Sequence, residues 1–186
     1  MFIKKYVKKI SIVSFLIFST SLTSLAYASS CNLKSELKEE QWEVIQEAYN
    51  YGKPYNLGYT LASISVIESN AGLYVENDVS ESYGVPQIRV TTAITRLGLH
   101  NSDANREGVK NRLIKDNEFA FELAVEELRY WLDVRGNWRT AIQSYNAGWK
   151  HHRGEGYMFK VIDVLNELED FTFAVVTVSI IFRFQL

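Results

Sequence analysis

The stretch Tyr59–Gln87, YTLASISVIESNAGLYVENDVSESYGVPQ, constrains the fold more than any other in this chain. It opens with the period of a helix, Leu61, Ile64, Ser65, Ile67 and Glu68 falling on neighbouring turns. Asn70 and Gly72 follow at once, and both residue types end helices. Glu68 is therefore expected in the last turn of an apolar helix. The negative end of the helix dipole disfavours a carboxylate there. Burial beside Ile64, Ile67 and Leu73 is expected to raise its pKa further. A carboxyl that keeps its proton near neutral pH is what a general acid requires. A surface Glu at a frayed helix end is the plainer alternative.

Three further segments accompany Glu68. Ser82-Tyr83-Gly84-Val85-Pro86-Gln87-Ile88 leads into Thr91-Thr92-Ala93, and Ser144-Tyr145-Asn146-Ala147-Gly148 precedes Gly156-Tyr157 and Val161. In this order the set resembles the lytic transglycosylase family (SLT-type, lysozyme-like). That family shows Glu-Ser at a helix end, then Gly-x-x-Gln-Ile leading to a Thr-Ala helix. Ala-Tyr-Asn-Ala-Gly and a Tyr-containing helix follow. The resemblance covers roughly residues 55 to 168.

The resemblance implies a mostly α, lysozyme-like single domain with a short loop or β excursion beside the active-site helix. It implies cleavage of the MurNAc-β-1,4-GlcNAc bond of peptidoglycan with formation of 1,6-anhydroMurNAc. Glu68 would act first as acid and then as base, and Ser69, Gln87, Tyr145, Asn146 and Tyr157 would meet the glycan. The Tyr145 hydroxyl is expected near the catalytic carboxyl, where a hydrogen bond would fix its rotamer. Two departures touch the subsites. Pro86 and Arg89 stand where the family commonly has Met.

The loop Leu73–Ser82 decides between chemistries. Glycosidases use two carboxyl groups, about 5 Å apart for retention or about 6.5–9.5 Å for inversion. If Asp78 or Glu81 faced Glu68, a water would serve as nucleophile, and the protein would be a muramidase-type hydrolase. A catalytically idle peptidoglycan-binding or assembly protein is the alternative from outside the enzymes.

Residues 1–28 read as a secretory signal peptide: Lys4, Lys5, Lys8 and Lys9, then the apolar run Ile10–Ile17, then Ala26-Tyr27-Ala28 as a cleavage site. A periplasmic or secreted location follows. Cys31 is the single cysteine, so no intrachain disulfide forms, and Ala28-Ser29-Ser30-Cys31 only loosely matches a lipoprotein box. A net charge of −2 argues against nucleic acid as a partner. Glycan strands, and a secretion or conjugation apparatus, are the partners considered, with the chain a monomer.

Residues 29–56 read as an amphipathic helix and linker, and residues 57–168 as the domain proper. Helices are expected over Thr91–Leu99, around Val109–Ile114 with Asp103 or Asn105 as cap, over Glu118–Val134 and Trp138–Tyr145, and over Gly156–Leu168. Trp149 suits either a sugar face or the core. His151 and His152 have no third ligand at metal spacing, and no metal or organic cofactor is implied. The apolar tail FTFAVVTVSIIFRFQL admits an added strand, a membrane-surface segment or a frameshift product.

Overall fold

A computed structural model describes residues 37–183, with side chains as far as residue 170. The expected signal peptide and Cys31 lie outside the described residues. Helix α1 spans Glu39–Gly52, and a 3₁₀ turn over Lys53–Tyr55 leads to α2, Gly58–Ser69. Three two-residue strands follow: β1 Glu76–Asn77, β2 Ser82–Tyr83 and β3 Ile88–Arg89. Then come α3 (Val90–Arg96), α4 (Asp103–Lys115), α5 (Asn117–Arg135) and α6 (Trp138–Ala147). A 3₁₀ stretch, Gly148–Gly154, connects to α7, Glu155–Arg183. The protein is mostly α, as expected.

Helix α2 is the axis of the core. Leu61, Ala62, Ser63, Ile64 and Ser65 are all buried in succession, so it has no solvent stripe. Its serines bond back to their own helix, Ser63 to the Tyr59 carbonyl at 2.7 Å and Ser65 to that of Leu61 at 2.8 Å. Apolar neighbours from α1, α5 and α7 (Ile45, Phe121, Leu128, Val161) complete the core. Each buried Leu, Ile or Phe contributes about 1.5–3 kcal/mol relative to exposure.

The strands form one antiparallel sheet in the order β1-β2-β3, pairing Glu76 with Tyr83 and Tyr83 with Ile88. This is the expected β excursion. Helix α4 clamps it from outside: Lys110 reaches Asp78 at 2.9 Å and Arg106 pairs with Glu81. Gly84, at φ 78°, lies so close to the Leu113 carbonyl that any Cβ would collide with it. Only glycine lets the sheet sit against α4.

Several boundaries differ from expectation. Helix α4 starts earlier, because Ser102 rather than Asp103 or Asn105 is its cap, accepting from the Asn105 amide at 3.3 Å. Asp116 caps α5 and Asn137 caps α6, each through its side-chain oxygen. Helix α1 belongs to the same compact unit as the helices that follow it, and the expected linker holds the short 3₁₀ turn Lys53–Tyr55.

The largest difference is at the end. Helix α7 continues past Leu168 to Arg183, 29 residues in all. The alternative of an added strand is therefore corrected. After Gly156 the chain has neither Gly nor Pro, so nothing in it breaks the helix, and β-branched residues cost only tenths of a kcal/mol each there. Among the described residues, no helix is long and apolar enough to cross a membrane.

Candidate active site

Glu68 lies in the last turn of α2, as its spacing required. Asn70, Ala71 and Gly72 all take positive φ (51°, 51° and 87°), which stops the helix abruptly. Two non-glycine residues in the left-handed region are a local cost that the surroundings hold in place. The hold comes partly from α1: buried Gln41 donates its side-chain amide to the Asn70 carbonyl at 2.7 Å. The same amide's oxygen accepts from the Lys38 N–H at 3.0 Å, so Gln41 starts one helix and terminates another. Nothing in the local sequence marked it.

Ser69 is turned into its own helix end. It is buried, donates to the Ser65 carbonyl at 3.2 Å and accepts from the Gly72 amide at 2.8 Å. Its hydroxyl closes the helix end rather than meeting a ligand.

Burial pushes the Glu68 carboxyl up from 4.5 to about 7, and the nearby Tyr157 hydroxyl opposes part of that shift. No cation is paired with it among the described residues. Leu73, expected as part of its cover, is 50% exposed and contributes less than its sequence position suggested. Tyrosines from two other helices supply polar company instead. Burial, and then the charge of Glu68, raise the hydroxyls of Tyr145 and Tyr157 well above their ordinary range, so both are protonated donors at neutral pH.

The two hydroxyls are used differently. Tyr145 donates to the Pro86 carbonyl at 2.8 Å, not to Glu68, so the expected hydrogen bond to the carboxyl is not made. It ties α6 to the loop after β2 instead. Among the described residues the Tyr157 hydroxyl is enclosed and has no hydrogen-bond partner of good geometry, although it stands close enough to Glu68 to lower its pKa. It is the one phenol among the described residues whose hydroxyl acts directly on the Glu68 carboxyl. Buried Gly154 packs against the Gln143 carbonyl, which brings the start of α7 onto α6 and so sets Tyr157 beside Tyr145.

Gln87 sits at φ 51°, and its Nε2 donates to the carbonyls of Gly84 at 3.0 Å and Tyr74 at 3.3 Å. With both donors used on the loop, its Oε1 is the atom left to offer a ligand. Asn146 is exposed at the end of α6, one residue beyond Tyr145. The structure thus gathers Glu68, Tyr145 and Tyr157, ties Gln87 to the same loop through Pro86, and turns Ser69 inward.

The loop carboxylates have other partners. Asp78 accepts from Tyr83 at 2.7 Å and from Lys110, and Glu81 pairs with Arg106. These cations hold both carboxyls below the usual range. No carboxylate contributes to the shift of Glu68. The excursion acids belong to the junction with α4. A cleft of about 260 Å³ lies there, lined by Glu81, Tyr83, Arg106 and Lys110 among others.

A second interior carboxylate escaped the sequence reading. Glu127 on α5 is 8% exposed, binds Arg96 at 2.7 Å and accepts from the Trp131 indole at 2.6 Å. Arg96 in turn lies 3.7 Å from the centre of the Tyr130 ring. The signal that existed was the spacing Glu127–Trp131, which puts both on one face of α5.

No family model matches the chain, and no solved structure matches it. Among curated proteins it is 31% identical over 119 residues to an uncharacterized 20.7 kDa protein, from the vs-regB intergenic region of Enterobacteria phage T4. The match covers 61% of this chain and 64% of the phage protein.

Proposed function

We propose that the protein is a peptidoglycan lytic transglycosylase built on a lysozyme-like frame, with Glu68 as its only catalytic carboxyl. The observation that carries this reading is the state of Glu68. A partly buried carboxyl with no cation partner, raised to about 7 by burial, holds a proton to deliver near neutral pH. Among the described residues the excursion acids Asp78 and Glu81 are taken up by Lys110 and Arg106, which favours a single-carboxyl reaction over activation of a water by a second acid.

In the proposed reaction Glu68 gives its proton to the glycosidic oxygen as the bond to the MurNAc anomeric carbon breaks. The carboxylate left behind then takes the proton of that sugar's own C6 hydroxyl. The C6 oxygen bonds to the anomeric carbon, closes the 1,6-anhydro ring, and returns Glu68 to its acid form without consuming water. The Tyr157 hydroxyl, enclosed beside Glu68, stabilises the carboxylate between the two proton transfers. Tyr145 holds the Pro86–Gln87 loop against α6, and Gln87 and Asn146 face the sugar.

Muropeptide mass spectrometry of the digested wall tests the reading. Products ending in 1,6-anhydroMurNAc, lighter than reducing ends by one water, are expected. Glu68→Gln should abolish them, a loss of at least about 10²–10⁴-fold. Reducing ends would establish the hydrolase instead, and cleavage by Glu68→Gln at the wild-type rate would remove Glu68 from the mechanism.

A further inference from the structure

Trp149 is 67% exposed, the most exposed large aromatic side chain among the described residues, yet it is firmly held. Its ring stands edge-on to Trp131 at 5.2 Å and 79°. The Arg135 guanidinium lies 5.1 Å from the Trp149 ring centre and donates to the carbonyls of both Gly148 and Trp149 at 3.2 Å. Arg135 is itself fixed on Ser144 at 3.0 Å. An indole braced on one side and open on the other is a preformed stacking face, with little rotamer freedom left to lose on binding.

The backbone around it is equally defined. Trp149 is the second residue of the 3₁₀ stretch that joins Tyr145 on α6 to Tyr157 on α7, the two tyrosines that flank Glu68. Lys150, at a kink in this stretch (φ −88°, ψ 45°), and Arg153 follow within four residues, both exposed, and neither has an ion-pair partner among the described residues. The next carboxylate is Glu155, at the start of α7. In a chain of net charge −2, this segment is a local cationic strip beside an aromatic face.

We propose that Trp149, Lys150 and Arg153 form a subsite for a sugar carrying an acidic peptide stem. The indole stacks on the pyranose and the two cations meet the stem carboxylates. This rests on the proposed action on peptidoglycan and extends it to a preference for peptide-bearing over stripped glycan. The charge complementarity selects this occupant over a neutral polysaccharide, which would satisfy the ring but not the cations.

The test uses the full chain carrying Glu68→Gln, so that ligand is not consumed. Its affinity is measured for soluble glycan strands with peptides intact and for the same strands with peptides removed by an amidase. Adding Trp149→Ala should weaken binding to both by about tenfold or more. Lys150→Ala with Arg153→Ala should weaken binding more to the intact strands, whose stems carry several carboxylates, than to the stripped strands, which keep only the lactyl carboxylate freed by the amidase, and should flatten the salt dependence. Trp149→Phe, which keeps a ring, should recover part of the loss and guards against a folding defect in the alanine variant. If Trp149→Ala binds like its parent in a protein whose wild type cleaves the wall, the subsite is overturned and the proposed function stands. Equal loss on both ligands in the double variant overturns the anionic half. If the wild type neither cleaves nor binds either strand, the proposed function itself falls, and the subsite with it.

Discussion

Glu68 and Glu127 are both interior carboxylates on helices of one core, and the protein treats them in opposite ways. Glu127 has a partner for each oxygen, Arg96 on one and the Trp131 indole on the other. Glu68 has no cation among the described residues, two tyrosine hydroxyls nearby, and a pKa raised to about 7. Burial alone therefore says little about a carboxyl. What matters is whether its charge is matched. A matched charge ties α3 to α5, whereas an unmatched one keeps its proton available.

The sharpest break of this contrast is Glu127→Ala. It strands Arg96 in a site it was built to share, and removing one member of a buried pair costs about 3–5 kcal/mol. Chemical denaturation should show that loss. Glu68→Gln should not show it, and if it destabilises as much, the contrast between the two sites fails.

The second effect concerns pH. The Glu68 carboxyl is raised from 4.5 to about 7, so the folded state binds its proton more tightly than the unfolded state. Below about pH 4.5 both states are protonated and Glu68 has no net effect on stability. Stability then falls as pH rises toward about 7, a total of about 3 kcal/mol, and stays lower above it. Glu68→Gln lacks this decline. The difference in unfolding free energy between wild type and variant, measured at about pH 5 and about pH 8, reads it directly. A constant difference would mean that Glu68 is not perturbed.

Smaller effects come from the tyrosines. Tyr145→Phe releases the Pro86 carbonyl and should cost about 1–3 kcal/mol, the penalty of an unsatisfied buried acceptor. Tyr157→Phe removes the group that draws the Glu68 pKa down, so the alkaline limb of the cleavage profile should move to higher pH. A limb that stays in place would separate Tyr157 from the acid. Asp78→Asn and Glu81→Gln should have the least effect on catalysis, leaving the rate unchanged, because both acids are occupied with α4. A large fall in rate with either would revive the two-carboxylate hydrolase.

Much of this was legible in residue order. Helical period followed by Asn70 and Gly72 placed Glu68 in a last turn, and Gly136-Asn137 marked the break between α5 and α6. The β excursion also lay where the polar, aperiodic segment suggested. Less legible was any side chain whose partner is distant in sequence. Gln41 reads as a helix-surface residue until α2 ends against it, and Glu127 reads as one more acid on α5 until Arg96 arrives. Ser69 looked available beside Glu68, but the turn at Asn70–Gly72 folds an amide back onto its hydroxyl. The sequence left the tail open, and of its alternatives the strand falls away because β-branched residues raise strand propensity only where a sheet edge receives them, whereas a helix already under way continues through them.

By itself the sequence determined that a carboxyl would end an apolar helix, since period and terminators are local properties. Tertiary structure alone decided what that carboxyl would be. Its pKa depends on enclosure by α6 and α7, with Tyr145 bonded to a carbonyl 59 positions away and the loop acids drawn off to α4. The physical reason is that desolvation and charge pairing depend on distance in space, which chain spacing does not encode.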